Sequence, residues 1–155
     1  MDPIVARAMA RWPNVPAVYG WLELDRRGNW RIKGERIGNA ALRDFISRNY
    51  DRDEQGRWYF QNGPQRVYVT LAYTPFVMHY RGDAVFDHCG AAVNPRGTWL
   101  DDEGSVLIEG ERGIGVLDDR DLERYADRAD TLPVLERAAI PGRFAFVSCP
   151  SPSLR

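Results

Sequence analysis

A chain of 155 residues with a formal net charge of −1 is long enough for one domain, or for two small modules that share a core. Apolar residues make up 44% of the sequence, which is ample for a packed interior. So balanced a charge provides no overall field toward nucleic acid or an anionic membrane, and we expect neither as a partner.

The sequence also predicts a cytoplasmic protein. Asp2, Arg7 and Arg11 interrupt the apolar residues of the first segment, which therefore lacks the pattern of a secretion signal. No apolar run approaches the roughly 20 residues that a membrane-spanning helix needs. Cys89 and Cys149 are the only cysteines, and two free thiols are normal in a reducing compartment.

Residues 1–16 are predicted to form a helix and a linker. Asp2 is a typical cap, and Pro3 is favoured at the first helical position. Pro13 and Pro16 would end the helix, because proline lacks the N–H that a helix interior uses.

Residues 17–81 are predicted to form a first β-rich module. Its hairpin turns at residues 25–28, and a helix follows at residues 39–50 with Asn39 as its cap. Alternating apolar and polar residues predict strands at 57–61, 66–73 and 76–80. We expect these strands to form a shared central sheet on which the helix packs.

Residues 82–149 are predicted to form a second β-rich module. Its hairpin turns at 101–105, and the acidic residues of the next segment favour the start of a helix at 118–129. A short helix is expected at 133–139, a last strand at 143–148 and a disordered tail at 150–155.

An Asp-x-x-Gly pattern recurs before apolar segments. It occurs at Asp25–Gly28, Asp53–Gly56 and Asp101–Gly104, each time followed two residues later by Trp30, Trp58 or Val106. An acidic residue and a glycine before alternating apolar residues are typical of a hairpin turn that leads into a strand. The three copies predict equivalent bends in repeated sheet-forming units.

These elements predict an α+β fold. It would have two hairpin-based β-rich modules with mainly antiparallel sheet and helices packed to one side. The strands come in hairpins and do not alternate with helices, which argues against a wound parallel sheet.

Arginines and aromatic residues interleave between Arg48 and Tyr68, and this segment suggests a binding surface. Guanidinium groups bind anions bidentately, and rings supply stacking area. We expect Arg57, Arg66, Tyr68 and His79 to contribute to a groove for an anionic small molecule. The leading hypothesis is a non-enzymatic ligand-binding or signalling-related module.

Two alternatives remain open. A thiol-dependent hydrolase could use Cys89 as its nucleophile with His79 as the base. A protein-interaction scaffold could form a homodimer through an exposed strand edge near Pro75. The sequence predicts no cofactor and no metal site, because His79, His88 and Cys89 lack the paired spacing of zinc ligands.

Several motifs resemble a proteobacterial family of uncharacterised proteins, domain of unknown function 1285. The similar segments follow one another in a fixed order over residues 20–127. They are Gly28-x-Trp30-x-x-x-Gly34-x-x-Ile37, Asp53-x-x-Gly56-x-Trp58-x-Phe60, Gly63-Pro64-Gln65-Arg66-Val67-x-Val69, Thr74-Pro75-Phe76-Val77 and Arg112-Gly113-Ile114-x-x-Leu117-x-x-Arg120-x-Leu122-x-x-x-Tyr125.

The resemblance implies an α+β protein with two repeated β-rich modules and a cleft between them. It also implies ligand binding in signalling, with no established enzyme activity. The chain differs from the family's pattern at Asn62–Arg66 and at Tyr73–Phe76, so no functional residue is carried over from the family.

Overall fold

The computed structural model describes residues 3–152, which divide into two compact units. The first unit contains residues 3–25, 29–72 and 147–152, and the second contains residues 26–28 and 73–146. The fold class is α+β, as predicted, with one open mixed sheet in each unit. No helix within the described residues is both long and apolar enough to cross a membrane.

Six strands form the sheet of the first unit, in the order β3-β2-β1-β6-β5-β4. They are β1 (Ala17–Leu24), β2 (Trp30–Ile32), β3 (Glu35–Arg36), β4 (Tyr50–Arg52), β5 (Trp58–Asn62) and β6 (Gln65–Leu71). β1 and β6 pair in parallel at the centre, and the other neighbours pair antiparallel.

Two helices belong to this unit: α1 (Pro3–Met9) and α2 (Ala40–Arg48). Asn39 caps α2 as predicted, because its side-chain oxygen accepts the N–H of Leu42 at 2.9 Å. The predicted end at residue 50 is too long, since Tyr50 already pairs with Phe60 in the sheet. The Asp2 cap predicted for α1 lies outside the described residues.

The core of the first unit is aromatic. Phe60 is fully buried, and its ring makes edge contacts with Trp12 and Phe45 at centroid distances of 5.7 and 5.5 Å. Such contacts combine area burial with favourable ring geometry. Leu42 and Ile46 are the buried residues of α2, and they lie on one side of it, as the helical spacing predicts.

Seven strands form the sheet of the second unit, in the order β13-β10-β11-β12-β7-β8-β9. They are β7 (Phe76–Arg81), β8 (Ala84–Asp87), β9 (Ala92–Val93), β10 (Gly97–Asp101), β11 (Val106–Glu109), β12 (Ile114–Leu117) and β13 (Val134–Leu135). β7 and β12 pair in parallel, as do β10 and β13.

The two sheets share one strand order. In each, the first and sixth strands form the central parallel pair, and a three-stranded antiparallel meander extends from either side. β13 is an addition to the second sheet, and α2 has no helical counterpart between β9 and β10.

The Asp-x-x-Gly turns have a common hydrogen-bond pattern, and there is a fourth at Asp87–Gly90. At each, the aspartate N–H donates to the carbonyl four residues later, and the N–H of that residue donates back to the carboxylate. The four glycines have φ between 79° and 92°, the left-handed region that disfavours a side chain. Sequence reading missed the fourth turn because the strand after it is only Ala92–Val93.

The predicted shared sheet at residues 57–80 is wrong. β5 and β6 belong to the first sheet, whereas β7 lies in the second sheet between β12 and β8. The change of sheet occurs at Thr74–Pro75, where proline cannot donate to a ladder. The side-chain hydroxyl of Thr74 instead donates to the carbonyl of Phe76 and accepts the N–H of Val116.

The predicted strand edge near Pro75 is also wrong. β7 has a neighbour on each side, and Pro75 is buried. A second copy of the chain could not pair there without displacing β8 or β12. Homodimerisation itself stays a prediction.

The predicted helix at 118–129 is instead a 3₁₀ helix at Asp119–Tyr125 followed by a short one at Ala129–Thr131. The carboxylate of Asp118 accepts the N–H of Arg120 at 2.9 Å, which caps the first of them. The segment is rich in aspartate, a poor residue inside α-helices, and Tyr125 is the one buried residue of Asp119–Tyr125.

The last predicted elements differ as well. Residues 133–139 form β13 and a 3₁₀ turn, Arg137–Ala139, and α3 (Ile140–Arg143) occupies the start of the predicted strand. Ala145 then has φ 54°, which breaks an extended backbone. Of the predicted tail, Pro150 is buried, and residues 153–155 lie outside the described residues.

Candidate functional site

Two of the predicted site residues, Arg57 and Tyr68, contact Asp53 in the first unit. The Nε atom of Arg57 donates to this carboxylate at 2.8 Å, and the Tyr68 hydroxyl donates to the same oxygen at 3.1 Å. The Arg57 guanidinium also lies over the Tyr68 ring, 4.6 Å from its centroid. The sequence brings Asp53 and Arg57 together locally, since they flank one turn.

Arg57 is therefore an internal cation whose charge is already compensated. Its side chain is only 15% exposed and that of Asp53 only 9%. Burial alone would raise the pKa of Asp53, but hydrogen bonds from Arg57 and from the N–H of Gln55 outweigh it and hold the pKa below its usual value. The ion pair between Asp53 and Arg57 holds the turn and Tyr68 in position. Few N–H donors of Arg57 therefore remain for a ligand.

Tyr68 is buried, and its ring contacts Arg57 and Tyr19. Its ring stacks on Tyr19 at a centroid distance of 4.8 Å and an interplanar angle of 6°. Tyr19 lies in a bulge of β1, where the pairing with β6 shifts register between Val18 and Leu22. Sequence reading missed Tyr19, because only this long-range pairing brings it to Tyr68.

Arg66 is the predicted residue that faces solvent. Its guanidinium lies 4.3 Å from the centroid of the Tyr59 ring. Together with Arg52 it lines a polar pocket of about 340 Å³, to which Glu54 and Gln55 also contribute. Among residues 3–152, neither Arg52 nor Arg66 forms an ion pair with a carboxylate, so both charges remain available to a ligand.

His79 belongs to the second unit, whereas Arg57, Arg66 and Tyr68 belong to the first. It pairs with Phe86 across β7 and β8 and is half-buried. Burial, and then the charge of Arg81, lower the pKa of His79. The imidazole is therefore neutral at pH 7 and contributes no positive charge to an anion site.

This pKa shift predicts a pH dependence of stability. The unfolded chain binds a proton at His79 near pH 6.5, whereas the folded protein resists it, so the free energy of unfolding falls as the pH is lowered through that value. The variant His79→Gln should show a shallower fall between pH 7.5 and 5 in urea titrations. Arg81→Gln, which removes the second cause of the shift, should reduce the slope partly. Unchanged slopes in both variants would contradict the assignment.

The imidazole that the structure shows beside Cys89 is that of His88. The Cys89 sulfur lies 3.6 Å from Nε2 of His88, while Nδ1 of His88 accepts the N–H of Val77 at 3.2 Å. A neutral imidazole that accepts at Nδ1 carries its proton on Nε2 and can only donate to the sulfur. His88 in this state cannot take the thiol proton, as a catalytic base would have to do.

No three His, Cys, Asp or Glu side chains within the described part of the chain lie close enough to hold a metal ion. Asp87 and Asp101 are the most buried carboxylates of the second unit. In each, one oxygen accepts hydrogen bonds from backbone N–H groups of its own turn. These two carboxylates therefore stabilise turns.

Comparison with protein families gives a match over nearly the whole chain. The model of family DUF2944, described as "Protein of unknown function (DUF2946)", matches residues 1–151. The chain belongs to this family. No curated protein matches the sequence.

Solved structures similar to this member of the family include two DUF1285 family proteins. The one from Silicibacter pomeroyi has 18% sequence identity and a TM-score of 0.56, over 82% of this chain and 84% of that chain. The one from Shewanella baltica has 17% identity and a TM-score of 0.52, over 69% of this chain and 91% of that chain. They confirm the resemblance inferred from the motifs, at the level of the fold.

Proposed function

We propose that this protein is a non-enzymatic binding module for a small anionic ligand, and that the ligand occupies the polar pocket of the first unit. The observation that supports it is the pair of guanidinium groups, Arg52 and Arg66, on one pocket of about 340 Å³. Neither has a carboxylate partner among the described residues. Guanidinium groups suit carboxylate and phosphate oxygens, with which they form charge-assisted, bidentate hydrogen bonds.

The surroundings of the pocket favour a small ligand of limited charge. Asp53 and Arg57 neutralise each other, so Glu54 is the remaining acidic side chain opposite the two arginines. The stack of Tyr68 on Tyr19 and the bond from Tyr68 to Asp53 fix the pocket wall, so little ordering is needed on binding. A role in signalling, which the resemblance implies, would follow from ligand occupancy.

Titration calorimetry with inorganic phosphate, citrate and a nucleoside monophosphate tests the proposal. Replacing Arg66 or Arg52 with glutamine should weaken binding about tenfold to a hundredfold each, because a hydrogen bond to a charged group contributes about 1.5–3 kcal/mol. The affinity of the wild-type protein should also fall with added salt.

Arg48→Gln is the matched control. Arg48 is an exposed arginine at the end of α2 and does not line the pocket. Absence of binding for all three anions, or an equal loss in the control variant, would count against the proposal. Melting temperatures of the free variants should stay close to that of the wild type, since both pocket arginines are exposed.

A further inference from the structure

The first unit has a second pocket, of different chemistry, beside α1 and α2. It measures about 360 Å³, and its walls are mainly apolar, with Trp12, Trp21, Ile32 and Leu42 among them. Volumes of roughly 300–1,000 Å³, apolar walls and a few polar groups are typical of small-molecule sites. None of these four residues lines the polar pocket described above.

Two of the polar side chains that line this pocket are cationic. Arg11 and Arg36 line it, against Glu35 as the acidic residue. Arg36 donates through Nε to the side chain of Asn29 at 3.0 Å, an uncharged partner. Within residues 3–152, neither arginine forms an ion pair with a carboxylate. The Lys33 ammonium lies over the Trp21 ring, 4.2 Å from its centroid, and adds to the positive charge nearby.

The indole of Trp21 has an unpaired donor. Its Nε1 atom is buried and has no hydrogen-bond partner, the one such side-chain atom found in the described residues. Trp30, by contrast, donates from Nε1 to the hydroxyl of Ser47 at 3.0 Å. Buried donors in native proteins nearly always have a partner, and an exception calls for an explanation.

The backbone around Trp21 is irregular as well. Trp21 lies in the β1 bulge, beside Gly20 at φ 70°. Bulges redirect side chains, and they are frequent next to functional sites.

We propose that this pocket binds a small organic acid with a flat apolar body and a single acidic group. The body packs against the two tryptophans, and the acidic group meets Arg11 and Arg36. On binding, the Trp21 indole, whose Nε1 is buried in the free protein, turns toward the ligand and donates to one of its oxygens. Glu35 disfavours a second acidic group in the ligand. This site does not depend on the anion pocket, since the two pockets have no lining residue in common.

The probe is naphthalene-2-sulfonate, with uncharged naphthalene-2-methanol as its comparison, titrated calorimetrically into the full chain. We expect one saturable site for the sulfonate and at least tenfold weaker binding of the alcohol. The double variant Arg11→Gln/Arg36→Gln should weaken sulfonate binding at least tenfold. The control double variant Arg7→Gln/Arg48→Gln, on α1 and α2 but outside the pocket, should bind like the wild type.

Trp21→Phe tests the unpaired donor, since it keeps an aromatic ring and removes the N–H. It should weaken sulfonate binding, whereas Trp99→Phe in the second unit should not; circular dichroism checks that both variants are folded. No binding of the sulfonate, equal binding of the alcohol, or full affinity in the double variant or in Trp21→Phe would overturn the proposal. Loss of sulfonate binding in Arg52→Gln/Arg66→Gln would also overturn it, because the probe would then occupy the polar pocket.

Discussion

Replacing Asp101 with alanine is expected to lower the free energy of unfolding by about 2–4 kcal/mol, since each buried donor left without an acceptor costs roughly 1–3 kcal/mol. Asp101 is 2% exposed. One carboxylate oxygen accepts the N–H groups of Glu103 and Ser105 at 2.9 and 2.8 Å, and the other accepts the Tyr73 hydroxyl at 2.7 Å. The two N–H groups can turn to water at the surface, whereas the buried hydroxyl cannot.

The Tyr73 side chain explains why this carboxylate should matter more than an ordinary turn residue. Its ring lies near two guanidinium groups, those of Arg26 at 5.0 Å and Arg137 at 4.7 Å from the centroid. Burial and the bond to Asp101 raise the pKa of Tyr73 well above its usual value, so the hydroxyl remains a donor at all ordinary pH values. Asp101 thus connects the β10–β11 turn to the segment between β6 and β7.

A double-mutant cycle separates the two functions of Asp101. Tyr73→Phe removes only the hydroxyl, and Asp101→Asn keeps an acceptor for the turn. The coupling free energy between Asp101→Ala and Tyr73→Phe should be about 1–2 kcal/mol, because residues in direct contact are not additive. Urea unfolding followed by circular dichroism gives the four stabilities. A coupling near zero would mean that the hydroxyl finds another partner when the carboxylate is absent.

The parts of this fold that sequence predicts are those made by neighbouring residues. An aspartate and a glycine three residues later suffice for a turn, because the carboxylate caps the backbone N–H groups within five residues. Asn39 caps its helix for the same local reason. The helix predicted at 118–129 is wrong because the acidic residues of this segment favour a helix start but not helix propagation.

The central parallel pairs could not be predicted in this way. β1 meets β6 across 40 intervening residues, and nothing local determines their register. The candidate sites depend on that pairing. Tyr19 reaches Tyr68, and Trp21 reaches its pocket, only after β1 has paired with β6 around a bulge. Arg57 was identified as a site residue, but its burial against Asp53 follows from tertiary structure.

Gly28→Ala should be more destabilising than Gly104→Ala, although the two glycines have the same φ of 85°. The left-handed conformation costs a residue with a side chain roughly 1–2 kcal/mol, and both variants incur this cost. A Cβ atom at Gly104 would meet nothing within 4 Å, whereas one at Gly28 would lie 2.8 Å from Cβ of His88. The crowding should add about 1–3 kcal/mol at Gly28 alone.

Comparing Gly28→Ala with Gly104→Ala separates the cost of crowding from the cost of backbone strain, because the two glycines have the same turn type and the same φ. Thermal or urea unfolding of the two variants measures the difference directly. His88→Ala should not rescue Gly28→Ala, since alanine keeps the Cβ atom that causes the clash. Equal losses for Gly28→Ala and Gly104→Ala would show that the chain relaxes around His88 at little cost. The Asp-x-x-Gly pattern would then require glycine for its φ alone, at position 28 as at position 104.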